Sequence, residues 1–153
     1  MDGISIKGIV EFEERTPTGE LVRRWTAENL VVNGGLAWLA GAMSGAVADA
    51  TVAKYIRVGT GTTPAAPANT DLVTGVEGRV TGTTSRVTTT ATNDTYQVIG
   101  VVTMTENRSI TEVGLFTAAS GGTLLSRSVF TAQPVTSGNT LTLTYKWIFT
   151  DAS

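Results

Sequence analysis

Ile110–Phe130, ITEVGLFTAASGGTLLSRSVF, reads as two strands, Ile110–Phe116 and Thr123–Phe130, joined by the small-residue linker Thr117–Gly122. Gly121 and Gly122 supply the positive φ angles of a tight reversal without a Cβ penalty. Val113 and Leu115 share a face of the first strand, and Leu125 and Val129 share a face of the second, with Leu124 and Phe130 opposite. From Thr140 to Thr150, Leu141, Leu143, Tyr145, Trp147 and Phe149 alternate with Thr140, Thr142, Thr144, Lys146 and Thr150. Alternation sustained over that length marks a half-buried strand. Together the three strands predict a C-terminal meander as the core, with no evident chemistry of its own.

Working outward, 153 residues suffice for one domain that buries roughly 70 % of its unfolded surface. The net charge of −2 leaves no cationic surplus to displace phosphate counterions, so nucleic acid is not an expected partner. Charged residues are 16 % of the chain, and Thr fills much of the polar surface instead. Without Cys the fold does not depend on disulfides, and without His the commonest general base and metal ligand are both missing. Met1–Val10 lacks the features of a signal peptide, and Leu30–Ala53 is broken by Gly34, Gly35, Gly41, Gly45 and Asp49, so no membrane span is expected.

Ile4–Glu14 and Glu20–Thr26, on either side of the turn Thr16-Pro17-Thr18-Gly19, predict an N-terminal β-hairpin or arm over residues 1–27, with the core in 28–153. Glu11, Glu13, Glu14, Arg15, Arg23 and Arg24 are read as its exposed charges, serving either as edge protection or as a partner-binding arm. From Asn33 a short helix places Leu36, Leu39, Ala40 and Met43 on one face, with Trp38 elsewhere. A small-residue loop over Ser44–Ala50 and a strand over Lys54–Val58 follow. Gly59–Asp71, GTGTTPAAPANTD, reads as a proline-stiffened excursion, with Thr70 or Asp71 capping a helical turn over Leu72–Gly75. Gly75–Ser85 reads as a mobile stretch. Strands are expected over Arg86–Thr92 and Tyr96–Thr105, around a turn at Asn93-Asp94, the second covered on both faces. About eight strands and one short helix suggest an all-β domain, a β-sandwich or jelly roll.

Few residues invite catalysis. Gly59–Thr63 lacks the lysine and hydroxyl of a phosphate loop and the spacing of a dinucleotide fingerprint. Glu11 and Glu13 share a strand face about 7 Å apart, as a carboxylate pair can, but Glu14 and Arg15 beside them indicate a solvated face. Ser5 and Lys7 share a face without any surrounding signature of a Ser–Lys dyad. Asp49, Asp71 and Asp94 lack calcium-loop spacing. No cofactor or metal is expected, and a polysaccharide hydrolase is a remote alternative.

Two of these segments, YIRVGTGTTPAAPANTDL (Tyr55–Leu72) and ITEVGLFTAASGGTLLSRSVF (Ile110–Phe130), resemble a family of small virion proteins of tailed bacteriophages. GELVRRW…ENLVVNGGLAWLA within Gly19–Ala40 is similar to the opening of such proteins, and the three segments cover about half of the chain. Asp71 departs from the pattern by standing after Asn69-Thr70. The resemblance implies a structural virion component that is not an enzyme. Its first form is a capsid decoration, or cement, protein on the capsid surface, made in the bacterial cytoplasm. Its partners would be the major capsid protein and its own copies, as dimer or trimer, without nucleic acid or membrane. The alternative is a tail, collar or fibre-associated protein. The candidate partner-binding residues are Glu11, Glu13, Arg15, Arg23 and Arg24 of the hairpin, Trp38, and Thr63, Pro64 and Pro67 of the loop.

Overall fold

The computed structural model describes residues 3–46 and 52–152. In chain order they form β1 (Ile4–Arg15), β2 (Leu21–Val31), α1 (Asn33–Ser44), β3 (Tyr55–Gly59), β4 (Gly75–Thr81), β5 (Thr83–Val87), β6 (Thr95–Thr103), β7 (Arg108–Phe116), β8 (Leu124–Val135) and β9 (Thr140–Asp151). All strand pairings are antiparallel, in the order β4-β3-β7-β8-β2-β1-β9-β6-β5. The expected all-β domain with one short helix is present. Its form, however, is one nine-stranded sheet nearly closed into a barrel, not clearly a sandwich.

Closure comes from the chain itself. β4 and β5, the two ends of the ladder, are joined by the single residue Gly82, whose N–H donates to the Lys54 carbonyl at 2.6 Å. A Cβ at Gly82 would run into Val98, so only glycine lets the strand cross β6 this closely. The opposite seam lies between β2 and β8, which pair only at Leu30–Arg127 and Val31–Ser126 and then diverge. Phe12 and Trp25, stacked with centroids 4.7 Å apart, and Phe130, 5.0 Å from Phe12, fill the wedge between them.

Alternation predicts the C-terminal strand well: Leu141, Leu143, Tyr145 and Trp147 are all buried. The expected meander is corrected, because β9 does not pair with β8. It crosses the core to lie between β1 and β6, each of which contributes a long antiparallel ladder. Met104 receives the crossing chain, accepting from Gly138 N–H and donating to the Asn139 carbonyl. The hairpin forms as expected, with Gly19 at φ 91° in its turn. It occupies the middle of the ladder rather than an edge, since β1 is paired on both sides.

Further expectations change with context. Gly75–Ser85, expected to be mobile, forms β4 and most of β5, while β5 ends at Val87 and leaves 88–94 as a loop. That loop closes on Asp94, whose carboxylate accepts the N–H groups of Thr89, Thr90 and Ala91 at 2.7–2.8 Å. β6 buries Val98 and Val102 but leaves Ile99 and Val101 exposed, so its outer face is not covered as expected. In β8 a bulge at Leu125 shifts the register between Leu115–Ser126 and Phe116–Leu124. Leu125 and Phe130 therefore both pack on the main core, and the grouping of Leu125 with Val129 fails. Most of Ser44–Ala50 lies outside the described residues.

The helix forms where expected but turns the other way. Leu36 and Met43 are exposed, at 52 % and 81 %, while Trp38 packs against the main core. The contact face is made by glycine. A Cβ at Gly34 would stand 2.8 Å from the Leu124 carbonyl oxygen, and one at Gly35 would overlap that of Leu125. With no side chain there, the helix backbone rests directly on β8.

Candidate docking surface

The loop of residues 60–74, between β3 and β4, is no free excursion. It covers the face of β7 and β8 that strict alternation would leave to solvent, and there it encloses two charges, Glu112 and Arg127, both fully buried. Glu112 Oε1 accepts the N–H groups of Thr74 at 2.8 Å and Gly61 at 3.0 Å. Its Oε2 accepts Val73 N–H at 3.1 Å and the Arg127 guanidinium, through Nε and Nη2, at 2.9 Å. Arg127 reaches onward to the Thr63 carbonyl at 2.9 Å and to Asn69 Oδ1 at 3.0 Å, while Thr111 Oγ1 donates to the Gly61 carbonyl at 2.7 Å.

This network explains the glycines. A Cβ at Gly59 or Gly61 would come within 2.5–2.6 Å of the Glu112 carboxylate, so the GTG sequence lets the backbone approach it. The anion that the glycine-rich loop cradles is the chain's own side chain. Leu72 pins the end of the loop by joining Val32, Phe116 and Leu124 in a second apolar cluster. The expected helical turn over Leu72–Gly75 is absent, and Asp71 instead accepts the N–H of Leu72 at 2.7 Å. The neighbouring turn at 117–123 is held equally firmly. Arg79 lies 3.6 Å from the Phe116 ring centroid and donates to the carbonyls of Ala118 and Gly121. Loop, turn and helix start meet at one end of the barrel, where Asn33 N–H donates to the Pro67 carbonyl at 2.8 Å.

Burial opposes ionisation of Glu112, but the N–H groups of Thr74 and Val73, the Arg127 guanidinium and Gly61 N–H together hold its carboxyl below the usual range. Glu77 behaves likewise: burial is outweighed by the Thr105 N–H and hydroxyl and by Arg108. Folded values below the unfolded one, about 4.3, mean that this stability is present above that pH and is lost as pH falls through the folded values. Thermal melts from pH 7 to pH 3 should therefore decline below about pH 4.5, with a shallower decline in Glu112→Gln. An equally steep decline in that variant would remove Glu112 as the cause.

The candidate residues divide into three groups. Thr63, Pro64 and Pro67 expose their side chains while their carbonyls bind inward, giving a fixed backbone with a free outer surface. Glu11, Glu13, Arg15 and Arg24 gather on the outer face of the hairpin. There Glu13 pairs with Arg15 and with Arg24 at 3.0 Å, and Glu11 pairs with Lys146 at 3.1 Å. Arg23 leaves this group, because its Nε pairs at 3.0 Å with Glu14, which is buried and not exposed as expected. Glu14 also accepts from Asn139 Nδ2 at 2.9 Å, where the β1–β2 register shifts. Trp38 is half-buried and packs against the main core.

Ser5 Oγ bonds Thr150 Oγ1 at 2.6 Å while Lys7 faces Glu28, so neither is turned to the other as a dyad. Among the described residues no three acidic side chains cluster as a metal site, and no helix is long and apolar enough to cross a membrane. Sequence reasoning missed Glu112 and Arg127. The signal was available: one acid and one base inside two apolar strands of a charge-poor chain. Comparison with known protein families, with curated proteins and with solved structures finds no match in any of the three.

Proposed function

We propose that this chain is a structural virion protein of a tailed phage, a capsid decoration protein that docks on the major capsid protein through the loop of residues 60–74. It acts without catalysis or cofactor. The observation that carries the reading is the Glu112–Arg127 network, which joins the two segments bearing the resemblance into one rigid unit. A loop ordered before it binds loses little entropy on docking. Its outward Thr63, Pro64 and Pro67 then form a preset surface, and the paired charges on the hairpin's outer face orient the partner. Each copy bridging several subunits would gain by effective concentration. We also infer a flattened, sandwich-like cross-section of the barrel, because β2 and β8 pair at only two positions and splay around Phe12, Trp25 and Phe130.

Copy number on purified particles tests the location. Hundreds of copies per particle support capsid decoration; a small multiple of three or six moves the protein to the tail, collar or fibre. On undecorated capsids, Pro64→Asp/Pro67→Asp should melt like the parent yet bind at least tenfold more weakly, a loss of about 1.4 kcal/mol. Unchanged binding would place the docking surface elsewhere.

A further inference from the structure

The geometry points to a carboxylate-binding cradle, made of the N–H groups of Gly61, Val73 and Thr74 with the Arg127 guanidinium, that the chain fills with Glu112 as a tethered ligand, so that the loop of residues 60–74 orders around an anion. Five donor atoms converge on two oxygens at 2.8–3.1 Å: Gly61 N and Thr74 N on Oε1, and Val73 N, Arg127 Nε and Arg127 Nη2 on Oε2. Three of the donors belong to the loop and lie at its two ends, so the carboxylate ties the first residues to the last. Thr60 N–H to the Thr74 carbonyl, at 2.9 Å, closes the same loop beside it. Glu112 itself sits in a ladder strand paired on both sides, at Gly59 and at Val129, and its backbone does not need the loop.

The chemistry of the cradle selects its ligand. One oxygen meets the N–H groups of Gly61 and Thr74 and the other meets Val73 N–H and both guanidinium nitrogens, so a planar carboxylate spans the two donor sets, whereas a halide seated at either oxygen position leaves the other set unmet. Replacing Glu112 by Ala removes CH₂–COO⁻, which is acetate less one hydrogen. Free acetate should then occupy the vacated position and re-form the loop, independently of any virion role.

Thermolysin reads the loop directly, since Ala65, Ala68 and Val73 within it are apolar residues of the kind before which it cleaves. In Glu112→Ala at neutral pH, cleavage within residues 60–74 should be at least tenfold faster than in the parent, while the barrel keeps its far-ultraviolet spectrum. About 100 mM sodium acetate should bring the rate back to within a few-fold of the parent; sodium chloride of equal ionic strength should not. A loop that stays protected in Glu112→Ala without acetate overturns the proposal, as does an open loop that acetate leaves open. If Glu112→Ala does not fold, hydrogen exchange in the parent decides. The Gly61, Val73 and Thr74 amides should exchange through a local opening, faster than those of Val98 and Leu143, and exchange only with the whole barrel would overturn it.

Discussion

Replacing Trp147 by Ala should cost about 3–5 kcal/mol, the usual range for deleting a buried aromatic side chain, and lower the melting temperature by roughly 10 °C. The size of the effect follows from where β9 lies. Trp147 is 1 % exposed, opposite Gly8 of β1 on one side and Tyr96 of β6 on the other. The position a Gly8 side chain would take is held by the Asn29 amide, a polar group that does not fill an apolar void, and the long ladders on both sides restrain β9 from collapsing into it. A strand at the margin of a C-terminal meander would relax more easily and lose less. Urea midpoints of Trp147→Ala and of Val101→Ala, which truncates an exposed side chain of the adjacent strand, make the comparison. The second should change stability by no more than about 0.5 kcal/mol. Similar losses from both would contradict the central placement of β9.

The second large effect concerns α1, and its sign runs against helix propensity. Gly35→Ala improves the intrinsic helix preference by roughly 1 kcal/mol. The added methyl would nevertheless overlap the Leu125 carbonyl oxygen, with the Val31 side chain only 3.0 Å away. The helix must lift from β8, a cost of about 1–3 kcal/mol for overpacking that exceeds the gain. Leu36→Ser, on the face that the apolar spacing selects, should alter stability by less than about 0.5 kcal/mol because Leu36 is already half exposed. Denaturant titration of the two variants decides which face is inward. Stabilisation by Gly35→Ala together with a loss in Leu36→Ser would restore the face read from the sequence.

Apart from β4 and β5, the sequence by itself determined most local elements: strands with a period of two, the turns at Gly19 and at Gly121-Gly122, and the start of the helix at Asn33. These depend on backbone sterics and on the alternation of side chains along a strand, which a short window contains. It also placed Leu141, Leu143, Tyr145 and Trp147 inside, because one-sided alternation leaves few other arrangements. Only the tertiary structure decided which strands are neighbours. β9 meets β1 across more than a hundred residues of chain, and no local pattern encodes a partner so distant. It also decided where alternation breaks. The bulge at Leu125 inverts the faces of β8 beyond it, and the helix turns its glycines inward because close approach of backbones outweighs burial of Leu36 and Met43. The candidate site divides in the same way. The loop of residues 60–74 stood out by composition, but what holds it, Glu112 and Arg127, lies some forty to sixty residues further along the chain. A charge in an apolar strand looks like an error in the pattern until the fold lays the loop's N–H groups and carbonyls over it. Burying such a pair is tolerable only when those polar groups surround it, and that arrangement exists only in three dimensions.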